Sequence, residues 1–203
     1  MRTSLGLHIL GATLAGRVLA DDAPPSTDNP AGVVYQAILP KEPFFAGAAI
    51  EGNVKGSIMA VAEDDGNGVM FSIMFENLPA EGGPFTYHIH TDRVVDNNCT
   101  VTKTHLDPYN AGVAVPCDPS NPQSCEVGDL AGKHGKVDSD PYMMNYTDLY
   151  ASTNESSMSF FGNRSFVLHY ANSTRITCAN FELKMMEMPG NCNSTKTPAP
   201  MHR

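Results

Sequence analysis

The sequence predicts an all-β chain, folded as an antiparallel β-sandwich or flattened barrel. Three observations carry this expectation. Short segments alternate apolar and polar residues with period two, turn signals separate them, and no stretch shows the 3.6-residue periodicity of an ordinary amphipathic helix.

Val33 to Leu39 reads as a first short strand and Val54 to Ala62 as a longer second one. After the turn Asp64-Asp65-Gly66-Asn67-Gly68, Val69 to Phe75 alternates cleanly. Val69, Phe71, Ile73 and Phe75 lie on one face, and Met70, Ser72 and Met74 on the other, which is a hairpin signal. Asn77-Leu78-Pro79 ends that hairpin, and Phe85-Thr86-Tyr87-His88-Ile89-His90 follows. Successive side chains of a strand point to opposite faces, so Phe85, Tyr87 and Ile89 can enter a core. The other face then presents two imidazoles about 7 Å apart, close enough to hold one metal ion. Residues 91–160 are rich in Pro, Asn, Asp, Gly and Ser and read as long loop, which in a compact domain is functional or disordered. Phe166 to Tyr170 and Ile176 to Leu183, joined by the turn Asn172-Ser173-Thr174, close the domain. On the first of these, His169 shares a face with Val167, away from Phe166, Leu168 and Tyr170.

The chain of 203 residues is long enough for one domain with a sizeable core, here residues 32–184, with tails on either side. Residues 1–20 read as a secretory signal: Arg2, a mostly apolar stretch from Leu5 to Ala15, and Val18-Leu19-Ala20 before Asp21-Asp22. Residues 21–31, with three prolines, read as a flexible lead-in, and residues 185–203 as a polar, disordered tail. Met185, Met186 and Met188 are read as the end of the last strand rather than as a soft copper(I) site. No other run reaches the roughly 18 apolar residues of a membrane span. No glycolipid-anchor signal is seen, so attachment to a cell wall or a glycolipid would require chain beyond residue 203.

The formal charge is −9, and loss of residues 1–20 removes Arg2 and Arg17 but no acid, taking it to −11. Such a chain has no electrostatic reason to bind nucleic acid or an acidic membrane. Six Asn-x-Ser/Thr sequons, at Asn98, Asn145, Asn154, Asn163, Asn172 and Asn193, suit an exported glycoprotein. Five cysteines in an oxidising compartment imply two disulfides and one odd thiol. The absence of a Cys-x-x-Cys pair argues against cysteine–metal chemistry.

Read together, the histidines give His88-x-His90-x14-His105-x63-His169. Here the chain resembles the copper/zinc superoxide dismutase superfamily. The carrying motifs are Tyr87-His88-Ile89-His90, Asn98-Cys99-Thr100, His105-Leu106-Asp107-Pro108, Val127-Gly128-Asp129-Leu130, Val167-Leu168-His169 and Arg175-Ile176-Thr177-Cys178, in the family's order. The resemblance implies a Greek-key sandwich or flattened eight-stranded barrel with one long metal-site loop. It implies copper held by His88, His90, His105 and His169, with His105 also catalytic, and Arg175 as the guide for the superoxide anion. It further implies the disulfide Cys99–Cys178, which leaves Cys117 and Cys125 to pair.

Two departures matter. Of the family's zinc ligands only His105 and Asp129 match; Glu126 stands where the last zinc histidine would be, and Val113 at another ligand position. His134 lies outside the pattern and is expected on the surface. Only Tyr170 to Thr174 separates His169 from Arg175, so the family's long charged loop is missing. Both departures resemble the copper-only superoxide dismutases of fungal cell surfaces, as do Cys125-Glu126-Val127-Gly128-Asp129-Leu130 and Gly132-Lys133-His134-Gly135. In that subgroup a glutamate takes over zinc's place beside the bridging-type histidine, which puts Glu126 against His105. The expectation is therefore a secreted enzyme using one copper and no zinc to convert superoxide to oxygen and hydrogen peroxide. A copper buffer without turnover is the alternative, and Arg175 argues against it, since storage needs no anion guide.

Overall fold

A computed structural model describes residues 20–184. The signal segment up to residue 19, the methionines at 185, 186 and 188, Cys192 and Asn193 lie outside the described residues.

Eight strands form two antiparallel sheets. They are β1 (Val34–Ile38), β2 (Lys55–Ala62), β3 (Val69–Glu76), β4 (Thr86–His90), β5 (Tyr142–Asp148), β6 (Ser165–His169), β7 (Arg175–Asn180) and β8 (Glu182–Lys184). One sheet runs β5-β3-β2-β1-β8 and the other β4-β6-β7. The chain passes between sheets from β3 to β4, from β4 to β5, from β5 to β6 and from β7 to β8. Among the described residues one short α-helix, α1 (Leu130–His134), interrupts the long loop.

The alternation on β3 does what the pattern requires. Val69, Phe71, Ile73 and Phe75 are buried, and Phe75 stacks on Phe166 of the facing sheet at 5.7 Å. In the preceding turn, Gly66 and Gly68 take φ of +78° and +80°, a region that disfavours other residues. β4 differs from a half-exposed strand: Tyr87 and Ile89 are buried, and so are His88 and His90. The second face and the free edge are covered by the long loop. Ile89 donates to the Gly128 carbonyl (2.9 Å), Leu106 to that of Ile89 (2.8 Å), and Gly128 to that of Leu106 (2.8 Å). Covering an edge in this way removes a template for unwanted pairing.

Three expectations need correction. Residues 91–160 are not all loop, because Tyr142–Asp148 pairs with β3 over seven residues. Its polar and methionine-rich sequence hides a strand whose partner supplies the order. The single expected closing strand, Ile176 to Leu183, is split at Phe181 so that β7 and β8 lie in different sheets. Residues 21–31 form a packed strap rather than a flexible lead-in. Asp21, Ala23 and Ser26 donate backbone bonds to the Tyr109, Gln123 and Leu149 carbonyls. The buried Asn29 amide donates to Gly66 and Gly68 carbonyls and accepts from Thr153 N and the Ser152 hydroxyl. A fully satisfied buried amide fixes a segment whose composition alone resembles a linker.

The structure carries the disulfides Cys99–Cys178 and Cys117–Cys125. The first joins residues 79 apart and pins the long loop to β7. Closing so long a loop stabilises the fold by about 4 kcal/mol in the entropic description.

Candidate metal centre

Two strands and one loop bring the four histidines together. β4 pairs with β6 so that Thr86 lies opposite His169 and His88 opposite Val167. His169 therefore stands diagonally beside His88 on the same face, where cross-strand neighbours meet. His105 arrives from the long loop through a bridge to His90. One ring nitrogen from each of His88, His90, His105 and His169 lies within 4.8 Å of the others.

The outer nitrogens decide which atoms face inward. His90 Nδ1 lies 3.0 Å from the Lys103 carbonyl and His169 Nδ1 lies 3.1 Å from the Ser173 carbonyl. Carbonyls only accept, so both Nδ1 atoms carry the proton, an assignment that rests on the hydrogen-bond network. Both Nε2 atoms then hold lone pairs, yet they sit 3.2 Å apart. Two facing lone pairs at that distance call for a cation between them. His105 turns Nδ1 to Glu126 Oε2 in a short contact, which again leaves Nε2 free. His88 is reversed. Its Nε2 lies 3.5 Å from Asp129 Oδ1, while its Nδ1 is buried without a hydrogen-bond partner among the described residues. A buried, orphaned nitrogen aimed at three other imidazoles is what a bound metal would satisfy. Four imidazole nitrogens suit copper or zinc and do not suit magnesium or calcium.

His88, His90 and His169 are held in the neutral, ligating form. Burial, with the neighbouring rings, drives the His88 pKa far below its ordinary range. The same causes lower His90 to about 2 and, despite the Ser173 bond, His169 to about 4. Stability then depends on pH. The unfolded chain takes up protons on these histidines below pH 6.5, and the fold refuses them until about 4 at His169 and about 2 at His90. The metal-free protein should therefore lose stability steadily as pH falls from 6.5 towards 4.5. Calorimetric midpoints measured across that window test this, and a flat profile would contradict it.

The segment 126–134 supports the cluster from behind. Glu126 and Asp129 touch different histidines, and Asp129 also caps α1 by accepting from Gly132 N at 2.8 Å. Gly128 threads so close to β4 that an added Cβ would meet the Ile89 carbonyl at 2.3 Å. His134, expected on the surface, is instead stacked on Tyr146 at 3.8 Å and bonded through Nε2 to Asp148 Oδ2 at 2.7 Å. Asp148 also pairs with Lys133 at 2.6 Å, both side chains being fully buried. Burial alone would raise the Asp148 carboxyl, but the Lys133 charge and the His134 bond hold it well below the carboxylate range. Sequence reasoning missed Lys133 and Asp148. The only signal was the motif Gly132-Lys133-His134-Gly135, which carried resemblance without a role.

In front of the cluster lies an open cavity of about 870 Å³, lined by His90, His105 and His169 and by the cations Lys103, Arg164 and Arg175. Arg175 stands opposite His169 on β7 and donates to the Cys99 and Lys103 carbonyls in short bonds. Lys103 is drawn aside by Asp92 at 2.7 Å.

A two-layer sandwich closed around four imidazoles, with an arginine at the cavity wall, defines a protein of the copper/zinc superoxide dismutase type. No family model matches the chain. It is, however, 38% identical to a cell surface Cu-only superoxide dismutase of Arthroderma benhamiae, covering 98% of this chain and 59% of that one. It is 39% identical to cell surface Cu-only superoxide dismutase 5 of Candida albicans, covering 90% of this chain and 75% of the relative. A solved structure of the Candida albicans protein with Cu(II) superposes with a TM-score of 0.65 at 37% identity, covering 81% of this chain and all of that one. The chain belongs to the family of fungal cell-surface copper-only superoxide dismutases. It spans about three fifths of the length of the Arthroderma relative.

Proposed function

We propose that the chain is an extracellular superoxide dismutase that works with one copper and no zinc. The observation that carries this reading is the convergence of four imidazole nitrogens, one of them buried and unpaired, beside a cavity whose lining includes three cations. His88 would bind through Nδ1 and His90, His105 and His169 through Nε2. Copper held there supplies the one-electron cycle by which two superoxide ions and two protons become oxygen and hydrogen peroxide. The chain's own residues do the rest. Arg175 docks the anion by charge-assisted hydrogen bonds. His105, braced at Nδ1 by Glu126, would also be the proton carrier: when its Nε2 is not engaged with the metal, that atom is free to take up a proton and pass it to the reduced oxygen. Lys103, Arg164 and Arg175 outnumber the acids Asp107 and Glu126 in the cavity lining, a local balance that a chain of net charge −9 needs if an anion is to enter.

What supports a single-metal centre is the direction of His105 Nδ1. The atom that could reach a second metal is turned to Glu126 instead. Asp129, the other matching zinc position, is occupied with Gly132 and His88. A closed zinc site takes four protein ligands, and these residues do not supply them. Residues 1–20 would direct export, and a cell-wall or glycolipid anchor, if the native chain has one, would lie outside the described residues. No helix among those residues is long and apolar enough to cross a membrane.

The test pairs elemental analysis with a superoxide assay on the purified protein. One copper with activity is expected; copper without activity would favour the buffering alternative, and an equivalent of tightly held zinc would overturn the single-metal reading. Arg175→Ala should keep its copper and slow turnover about tenfold, the loss expected for one charge-assisted bond. Loss of the copper, or full speed, would remove Arg175 from the anion-docking role.

A further inference from the structure

The edge strand β5 carries two liabilities, and a single feature answers both. β5 pairs with β3 in unbroken register from Val69–Asp148 to Phe75–Tyr142, and its other edge faces no strand among the described residues. Exposed edges are usually blunted by an internal lysine or proline, a bulge or brevity. β5 is seven residues long, has no bulge, and carries no charge or proline before its final Asp148. The second liability is the outer face of the same sheet. Met143 stands beside Met74, and Asn145 beside Ser72, with Met59 next in that row. Met143 is 73% exposed, Met74 41% and Met59 38%. Polar residues normally occupy the solvent face of such a sheet.

Asn145-Tyr146-Thr147 is a sequon at the midpoint of this edge. Asn145 and Thr147 are exposed and share the outer face with the methionines. The other described sequons sit differently. Asn98 adjoins buried Cys99, with its Oδ1 engaged by Thr100, and the Asn154 amide donates to Asp28. Asn163 and Asn172 are exposed in turns rather than on a strand.

We propose that Asn145 carries an N-linked glycan that lies over the methionine face and blocks the β5 edge. The C–H faces of its sugar rings are suited to pack on thioether side chains, and its bulk at mid-strand keeps a second strand from pairing. The proposal rests on export of the chain.

The full chain secreted from a glycosylating eukaryotic host tests it. Glycopeptide mass spectrometry should find sugar on Asn145. Asn145→Gln should raise binding of the apolar dye ANS several-fold and shift the mass distribution upwards with concentration, relative to wild type and to the control Asn163→Gln. Asn145→Lys, which places a charge on the same edge, should restore the wild-type mass distribution without sugar. Activity per copper should be equal in all of them. Asn145 bare while other sequons are occupied would overturn the proposal. So would an Asn145→Gln protein indistinguishable from Asn163→Gln, or a glycosylated wild type that dimerises through this face. A chain retained in the cell without sugar on any sequon would overturn the export reading and this one with it.

Discussion

Exchange of Glu126 for glutamine is expected to lower copper retention or turnover by about 10- to 100-fold, the usual loss when a partner of a metal-ligating histidine is changed. The introduced amide would keep a carbonyl oxygen that can accept from His105 Nδ1–H, but it would lose the negative charge. The charge is what strengthens the bond and makes His105 Nε2 a better donor to metal. Glu126 is only 8% exposed, so water would not restore the missing interaction. Glu126→Ala removes the acceptor as well, and should be worse than the amide. Copper content, turnover per copper and circular dichroism read the three quantities that matter: occupancy, chemistry and fold. If both variants bind copper and turn over like the parent, Glu126 is a bystander and His105 is oriented by other means.

Lys133→Ala is expected to destabilise the folded protein by about 3–5 kcal/mol, the range for breaking a buried ion pair from one side. The Lys133 and Asp148 side chains are both wholly buried. Without the ammonium, the Asp148 carboxylate keeps His134 and the Tyr150 and Ala151 backbone donors, but no fully buried positive charge. The Lys133 bond to the Val127 carbonyl goes as well. That carbonyl belongs to the segment between Glu126 and Asp129, so loosening it should also weaken the support behind His88 and His105. Urea unfolding of wild type and variant measures the effect. A change below 1 kcal/mol would mean that the pair is balanced by its own desolvation and that α1 is held by other contacts.

Much of this protein is legible in its residues because period-two alternation reports burial directly. The β2–β3 hairpin, the histidine strand and the His169 strand lie where the pattern puts them, shifted by a residue or so at their ends. β5 was hidden because its order comes from a partner strand about seventy residues away, and nothing local in Tyr142 to Asp148 reports that pairing. The packed strap at residues 21–31 was hidden for a related reason: proline-rich composition speaks to the free chain, while Asn29 is fixed by groups around Gly66 and Ser152. The imidazole cluster could be read from spacing and resemblance together. The buried Lys133–Asp148–His134 group could not, since a lysine beside a histidine reads as solvated surface until Asp148 is folded against them.

Arg175 reaches across to the carbonyl of Cys99, whose sulfur is joined to Cys178 three residues along the same strand as the arginine. The covalent staple thus fixes the carbonyl on which the arginine is seated. A chain still in a reducing compartment would hold its histidines without a fixed arginine beside them. If the chain is the exported dismutase proposed above, full turnover would await formation of Cys99–Cys178.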